Sequence, residues 1–253
     1  MALRSRSLFL YGFEVSAEKR YIDFIPSGGS ELTAELTDGF YTLSGLLSEA
    51  ERAMEAVDIN NEYGWEADRS YEDGTRNRVS FATSGGPCDL LFGSGTNASS
   101  SIASLIGFNA SDYTGLTEYT GSESAGTPLV SEREGYSYSG PDLFRKVFGS
   151  LSVSSSGVKE ALTYSIQKFL EVTFKYEPEE KAISEWSPLF TYIIQQRPYE
   201  FTPEIDSPDI FYGVTLEATE TDSLGMGMNM KEMLPEFPFF NSTGNLKMRV
   251  QEE

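Results

Sequence analysis

Residues 90–121, LLFGSGTNASSSIASLIGFNASDYTGLTEYTG, constrain the fold more than any other stretch. A short apolar run, Leu90-Leu91-Phe92, meets Gly93 and Gly95. A compact Ser/Ala/Ile turn follows, then the apolar anchor Leu105-Ile106-Gly107-Phe108, then small polar residues with Tyr113 and Tyr119. Residues of this kind suit strands with one exposed face joined by wide turns. A flexible linker would lack Leu105, Ile106 and Phe108. The stretch holds no histidine, no cysteine pair and no nucleophile beside a base. It reads as architecture rather than chemistry.

The flanking sequence repeats this grammar. Leu8–Val15 and Tyr21–Ile25 read as strands, with Ile22 and Phe24 on one face and Tyr21, Asp23 and Ile25 on the other. In 31–36, Leu32, Ala34 and Leu36 share a face. Residues 43–57 instead place Leu43, Leu46, Leu47, Ala50, Met54 and Val57 at helical spacing, with Thr42 or Ser44 able to cap the first turn. Trp65–Tyr71 and Arg78–Ala82 form an expected hairpin around Asp73-Gly74. Gly135–Pro141 shifts composition and marks the expected boundary between a strand-helix-hairpin domain, 1–138, and a β-rich domain with one helix, 139–253. In the second part, 146–153 and 165–176 read as strands, the latter alternating Ile166, Lys168, Leu170, Val172 and Phe174 against Gln167, Phe169, Glu171, Thr173 and Lys175. Ser187-Pro188 opens a helix with a Trp186, Leu189, Phe190, Ile193, Ile194 stripe. Arg197–Pro203 reads as an edge-like strand because proline cannot donate to a ladder. Strands are expected at 210–217 and 246–250, with a Met- and Gly-rich loop over 223–238. The expected fold is therefore α+β and β-dominated: antiparallel sheets in a barrel-like sandwich, one amphipathic helix per half.

Composition narrows the chemistry. The chain has 253 residues, one cysteine, no histidine and a formal net charge of −20. Such acidity opposes binding to phosphate backbones. One cysteine, Cys88, excludes an internal disulfide, and the missing histidine removes the commonest general base and zinc ligand. Cys88 reads as a small buried residue. No apolar run approaches the roughly 18 residues of a membrane span, and the N-terminus lacks the pattern of a signal peptide. The Asn97, Asn109 and Asn241 sequons read as chance. Glu177, Glu179 and Glu180, and Asp206 with Asp209, are carboxylate groupings, but nothing singles out a pair for glycosidase work. Asp68–Gly74 fails the spacing of a calcium loop. Gly85-Gly86-Pro87 and Gly93-Ser94-Gly95-Thr96 lack the lysine of a phosphate-cradling loop and read as turns. Trp65 and Trp186 read as core. No enzyme activity, cofactor or metal is expected.

The opening stretch, with Tyr21-Ile-Asp-Phe and the Phe40-Tyr-Thr entry into a Leu46-Leu47…Ala53-Met54 helix, resembles structural proteins of tailed bacteriophages. The close reads Leu105-Ile-Gly-Phe108 and Thr114-Gly115, with Ile106 inserted. The resemblance covers about residues 8–121. The second half is similar to phage tail proteins: Ser156-Gly157, a long strand, a Trp-bearing helix from Trp186 to Gln196, then Tyr-Glu-Phe-Thr-Pro. It implies a virion tail component, made in the host cytoplasm, of distal-tail, baseplate-hub or tail-tube type. It carries no catalytic residues.

Such a subunit would pair with copies of itself in a ring or tube and with other virion tail proteins, with DNA only as passing cargo and no membrane. Flexible thioethers suit adaptable contacts, so Met226, Met228, Met230 and Met233 are candidate inter-subunit contacts. Tyr136 and Tyr138, in the loop read over 121–139, are two more. The alternative is a carbohydrate-binding module on a tail tip or cell surface, using exposed Tyr and Trp side chains.

Overall fold

A computed structural model of the protein describes residues 4–68, 77–134, 138–153, 159–174, 177–203, 212–216, 231–234, 237–242 and 244–250. The chain is α+β and β-dominated, and every strand pairing described is antiparallel. Among the described residues the sheets stay open and form no closed barrel.

In chain order the first strands are β1 (Arg4–Tyr11), β2 (Phe13–Val15), β3 (Tyr21–Ile25), β4 (Leu32–Glu35) and β5 (Gly39–Tyr41). Helix α1 (Leu43–Val57) follows, then β6 (Tyr63–Asp68), β7 (Arg78–Thr83), β8 (Asp89–Leu91), β9 (Asp112–Tyr113) and β10 (Glu118–Thr120). Next come β11 (Thr127–Glu134), β12 (Tyr138–Val153), β13 (Lys159–Phe174) and β14 (Glu177–Pro178), then helix α2 (Ser187–Ile194). The last are β15 (Tyr199–Thr202), β16 (Tyr212–Leu216), β17 (Lys231–Leu234), β18 (Phe237–Ser242) and β19 (Gly244–Val250).

These elements fall into two compact units, both discontinuous in sequence. One holds Ser7–Val130 and Arg197–Phe211; the other holds Met1–Arg6, Ser131–Gln196 and Tyr212–Glu253. The segment carrying β15 thus belongs with the N-terminal strands, whereas the sequence reading divides the chain once, at 138/139.

The first unit is built on two small sheets, ordered β4-β3-β8-β9 and β10-β7-β6, with α1 alongside. Gly12, at φ 96, separates β1 from β2 where a single strand was expected. α1 spans the expected residues. The Thr42 hydroxyl accepts from Gly45 N at 3.1 Å, and Leu43, Leu46, Leu47, Ala50, Ala53 and Met54 form the buried stripe. Val57 was expected in that stripe, but on the last turn it is 44% exposed. The aromatic centre joins the expected hairpin to the opening stretch. Trp65 packs on Phe81 at 4.8 Å and on Phe108 at 5.8 Å, and Phe108 meets Tyr113 at 5.1 Å. Gly107 is required there: its φ is +74, and a Cβ would lie 2.2 Å from the Glu123 carbonyl oxygen.

In the second unit the sheet runs β16-β19-β13-β12. Leu170, Val172 and Phe174 of β13 face inward as the alternation predicts, and Trp186 packs on Phe174 at 4.9 Å. Phe169, on the opposite face, is also fully buried, with Lys247 Nζ 5.4 Å from its ring centre. Pro141 sits inside β12, at a break in register between Ser139 and Asp142, where a missing N–H is tolerated.

Four local expectations need correction. The loop read over 121–139 contains β11 and the start of β12. Ser187 does not cap α2, because the backbone is already helical through an α turn at Glu179–Lys181 and a π turn at Ala182–Trp186. The π turn lies where Pro188, lacking an N–H, cannot bond to the preceding turn. The loop expected over 223–238 contains β17 and the start of β18, so Met233 sits in a strand. Finally, β15 is buried at every position rather than lying at an exposed edge.

Candidate functional site

The glycine-rich turn at 93–97 has the outline of an anion cradle, but its N–H groups are already spent. Gly93 N and Ser94 N donate to Asp112 Oδ1 at 2.8 and 2.9 Å, and the Ser94 hydroxyl donates to Asp112 Oδ2 at 2.6 Å. Gly95 N donates to the Leu91 carbonyl at 3.0 Å, Thr96 N to Glu31 Oε1 at 2.7 Å, and Asn97 N to Asp23 Oδ2. The protein's own carboxylates fill the site a phosphate would need. The Ser94 hydroxyl, helped by the two backbone donors, holds the Asp112 carboxyl below its ordinary value.

Asp23 is the centre of this turn. Alternation puts it on the polar face of β3, yet it is 2% exposed. Thr33 Oγ1 donates to it at 2.6 Å and Asn97 Nδ2 at 3.0 Å. Gly95 makes the enclosure possible: a Cβ there would lie 2.5 Å from the Asp23 Cβ and 2.7 Å from the Leu91 carbonyl oxygen. The sequence offers no signal for this, because the partners come from β4 and from a turn more than 70 residues away.

Glu49 and Asp58 are committed in the same way. Glu49 accepts both Arg52 donors at 2.6 Å and Thr37 N at 2.7 Å, and the Arg52 hydrogen bonds bring its carboxyl down to about 2. Asp58 accepts from the Tyr63 hydroxyl at 2.6 Å and Asn61 Nδ2 at 2.7 Å, which lowers its pKa. Burial and this same bond push the Tyr63 phenol up. Glu179 and Glu180 are exposed in a single helical turn. Asp206, Asp209 and most of 68–74 lie outside the described residues. Among the described residues no three His, Cys, Asp or Glu side chains group as metal ligands. Cys88 is buried, and burial pushes its thiol up to about 12, far from the thiolate needed for reactivity.

Surface edges differ sharply around the molecule. β6 is an edge strand, and its Trp65 N–H is covered by Glu51 Oε1 at 2.8 Å. β10 and β9, at other edges of the first unit, are three and two residues long. In contrast β12 runs for 16 residues at the end of its sheet and pairs only with β13 among the described residues. β19 covers β13 from Phe169 to Phe174 only, so 159–167 form a two-stranded ribbon with β12. Along one face of β13, exposure rises outward from buried Leu170 to Ile166 at 52%.

Of the candidate contacts, Tyr138 is the first residue of β12, opposite Phe174, and Met233 lies in β17. Tyr136, Met226, Met228 and Met230 lie outside the described residues. The ribbon edge was missed in sequence, because an alternating strand looks alike whether its edge is paired or open. No protein-family model matches this chain, and no curated protein sequence matches it.

Proposed function

We propose that the protein is a structural subunit of a bacteriophage tail, of distal-tail, baseplate-hub or tail-tube type, that forms a ring or tube with copies of itself. The observation that carries this reading is the β12–β13 ribbon. An isolated two-stranded ribbon is marginal in water, and a long open edge is a template for another strand. Heterologous pairing of that kind closes into rings or continues into tubes. The glycine turn, whose donors are taken by Asp23, Glu31 and Asp112, fits a scaffold rather than an enzyme. The net charge of −20 suits a surface that DNA passes without adhering. The carbohydrate-binding alternative loses its obvious platforms, since Trp65 and Trp186 are 3% and 0% exposed.

The test is sedimentation velocity and electron microscopy of the full chain beside a variant whose residues 150–162 are replaced by an Asn-Gly turn between the paired positions Gly149 and Thr163. The full chain should form rings or tubes, and the shortened one should stay folded and monomeric. A full chain that remains monomeric at high concentration, alone and with other tail proteins, would defeat the proposal.

A further inference from the structure

The segment 197–203 leaves one unit, enters the other and returns, since residues 131–196 and 212–253 belong together and 197–211 do not. Its attachment within the first unit is of four kinds. β15 pairs with β1 in the register Leu8↔Thr202, Phe9↔Phe201, Leu10↔Glu200. Tyr199 and Phe201 are 1% and 0% exposed, and their rings lie 6.1 and 4.8 Å from that of Phe9. At the surface Arg197 stands 4.2 Å from the Phe40 ring centre and 3.5 Å from Glu14, which are cross-strand partners in β2 and β5.

The fourth attachment is the unusual one. Glu200 is 1% exposed, and its Oε1 accepts from both Ser44 N and Ser44 Oγ at 2.7 Å, across 156 residues of sequence. Ser44 lies in the first turn of α1, where backbone N–H groups have no partner within the helix. Thr42 satisfies Gly45, and Glu200 satisfies Ser44. A carboxylate is favoured at a helix N-terminus by the helix dipole, but is costly if buried without donors. A slip of one residue in the strand would turn Glu200 to the other face and bring an aromatic ring to Ser44. Glu200 therefore fixes the register of the strand as well as the start of the helix.

We infer that residues 197–203 are a strap that locks the folding of the two units together, with Glu200 as its key. Until the strap docks, the first unit lacks the acceptor for Ser44 N and a buried strand. Residues 197–211, which carry the strap, are joined covalently to the second unit at both ends. Loss of the Glu200–Ser44 contact should therefore be felt in both units at once, although Ser44 lies in the first. This inference does not depend on the assembly role proposed above.

The two tryptophans make the test direct, because Trp65 lies in the first unit and Trp186 in the second. Fluorescence unfolding of the full chain in Trp186→Phe and Trp65→Phe backgrounds reports each unit separately. Glu200→Ala should lower the denaturant midpoint of both reporters together and speed amide exchange at Ser44 by about tenfold or more. Glu200→Gln, which keeps an acceptor but loses the charge, should do the same more weakly. It carries the test if the alanine variant does not fold. A shift confined to the Trp65 reporter, or no shift with unchanged Ser44 exchange, would overturn the inference.

Discussion

The two units treat their sheet edges in opposite ways. In the first, three edge strands are short or covered: Glu51 sits on the Trp65 N–H of β6, and β9 and β10 end within three residues. In the second, β12 and the outer part of β13 extend as a long ribbon past the strand that would cover them. Edge protection is what a domain uses to stay solitary, and its absence is what a subunit uses to find a neighbour. In the assembly proposed above, the second unit is the one that presents the joining surface.

The largest expected effect comes from emptying the aromatic centre of the first unit. Phe81 is 0% exposed and touches Tyr63, Trp65 and Tyr119. Phe81→Ala should cost about 3–5 kcal/mol, read as a fall in the urea midpoint. A loss under about 1 kcal/mol would mean that the aromatic centre is not tightly packed. Gly95→Ala comes next. Its methyl would collide with Asp23 and with the Leu91 carbonyl, and relief should cost about 1–3 kcal/mol while loosening the turn over Asp23. Proton exchange at Asn97 would report the loosening.

Glu51→Ala sharpens the contrast more than it destabilises. It leaves the Trp65 N–H at a bare edge, for a cost of about 1 kcal/mol. It should also give the first unit a tendency to associate, visible by light scattering even when residues 150–162 are absent. If scattering is unchanged, Glu51 is not what keeps that edge solitary.

The smallest effect is acid titration. Glu49, Asp58 and Asp112 all have folded-state values below their ordinary ones. The stability each contributes is therefore full above its unfolded-state value and drains away as pH falls toward the folded one. For Glu49 the window runs from 4.5 down to about 2. Glu49→Gln should flatten the acid side of a stability–pH curve in that window and leave the neutral side level. Stability that rose on acidification would contradict the assigned contacts.

Much of the local structure was legible in the residues. The 43–57 helix, the Tyr21–Ile25 strand, the hairpin from β6 to β7 and the burial of Leu105, Ile106 and Phe108 follow from spacing alone, because periodicity records which face meets the core. The candidate site was less legible. Asp23, Glu51 and Glu200 look like ordinary polar positions, and each takes its role from donors far along the chain.

The β-dominated class, the two helices and the absence of histidine and of a cysteine pair all follow from composition and short-range pattern alone. Only the tertiary structure decided that residues 197–203 complete the N-terminal unit, that the glycine turn is filled by its own carboxylates, and that one long ribbon keeps its edge open. Those outcomes depend on which backbone N–H groups find acceptors across long sequence separations, and a polar residue carries no mark of the partner it will meet.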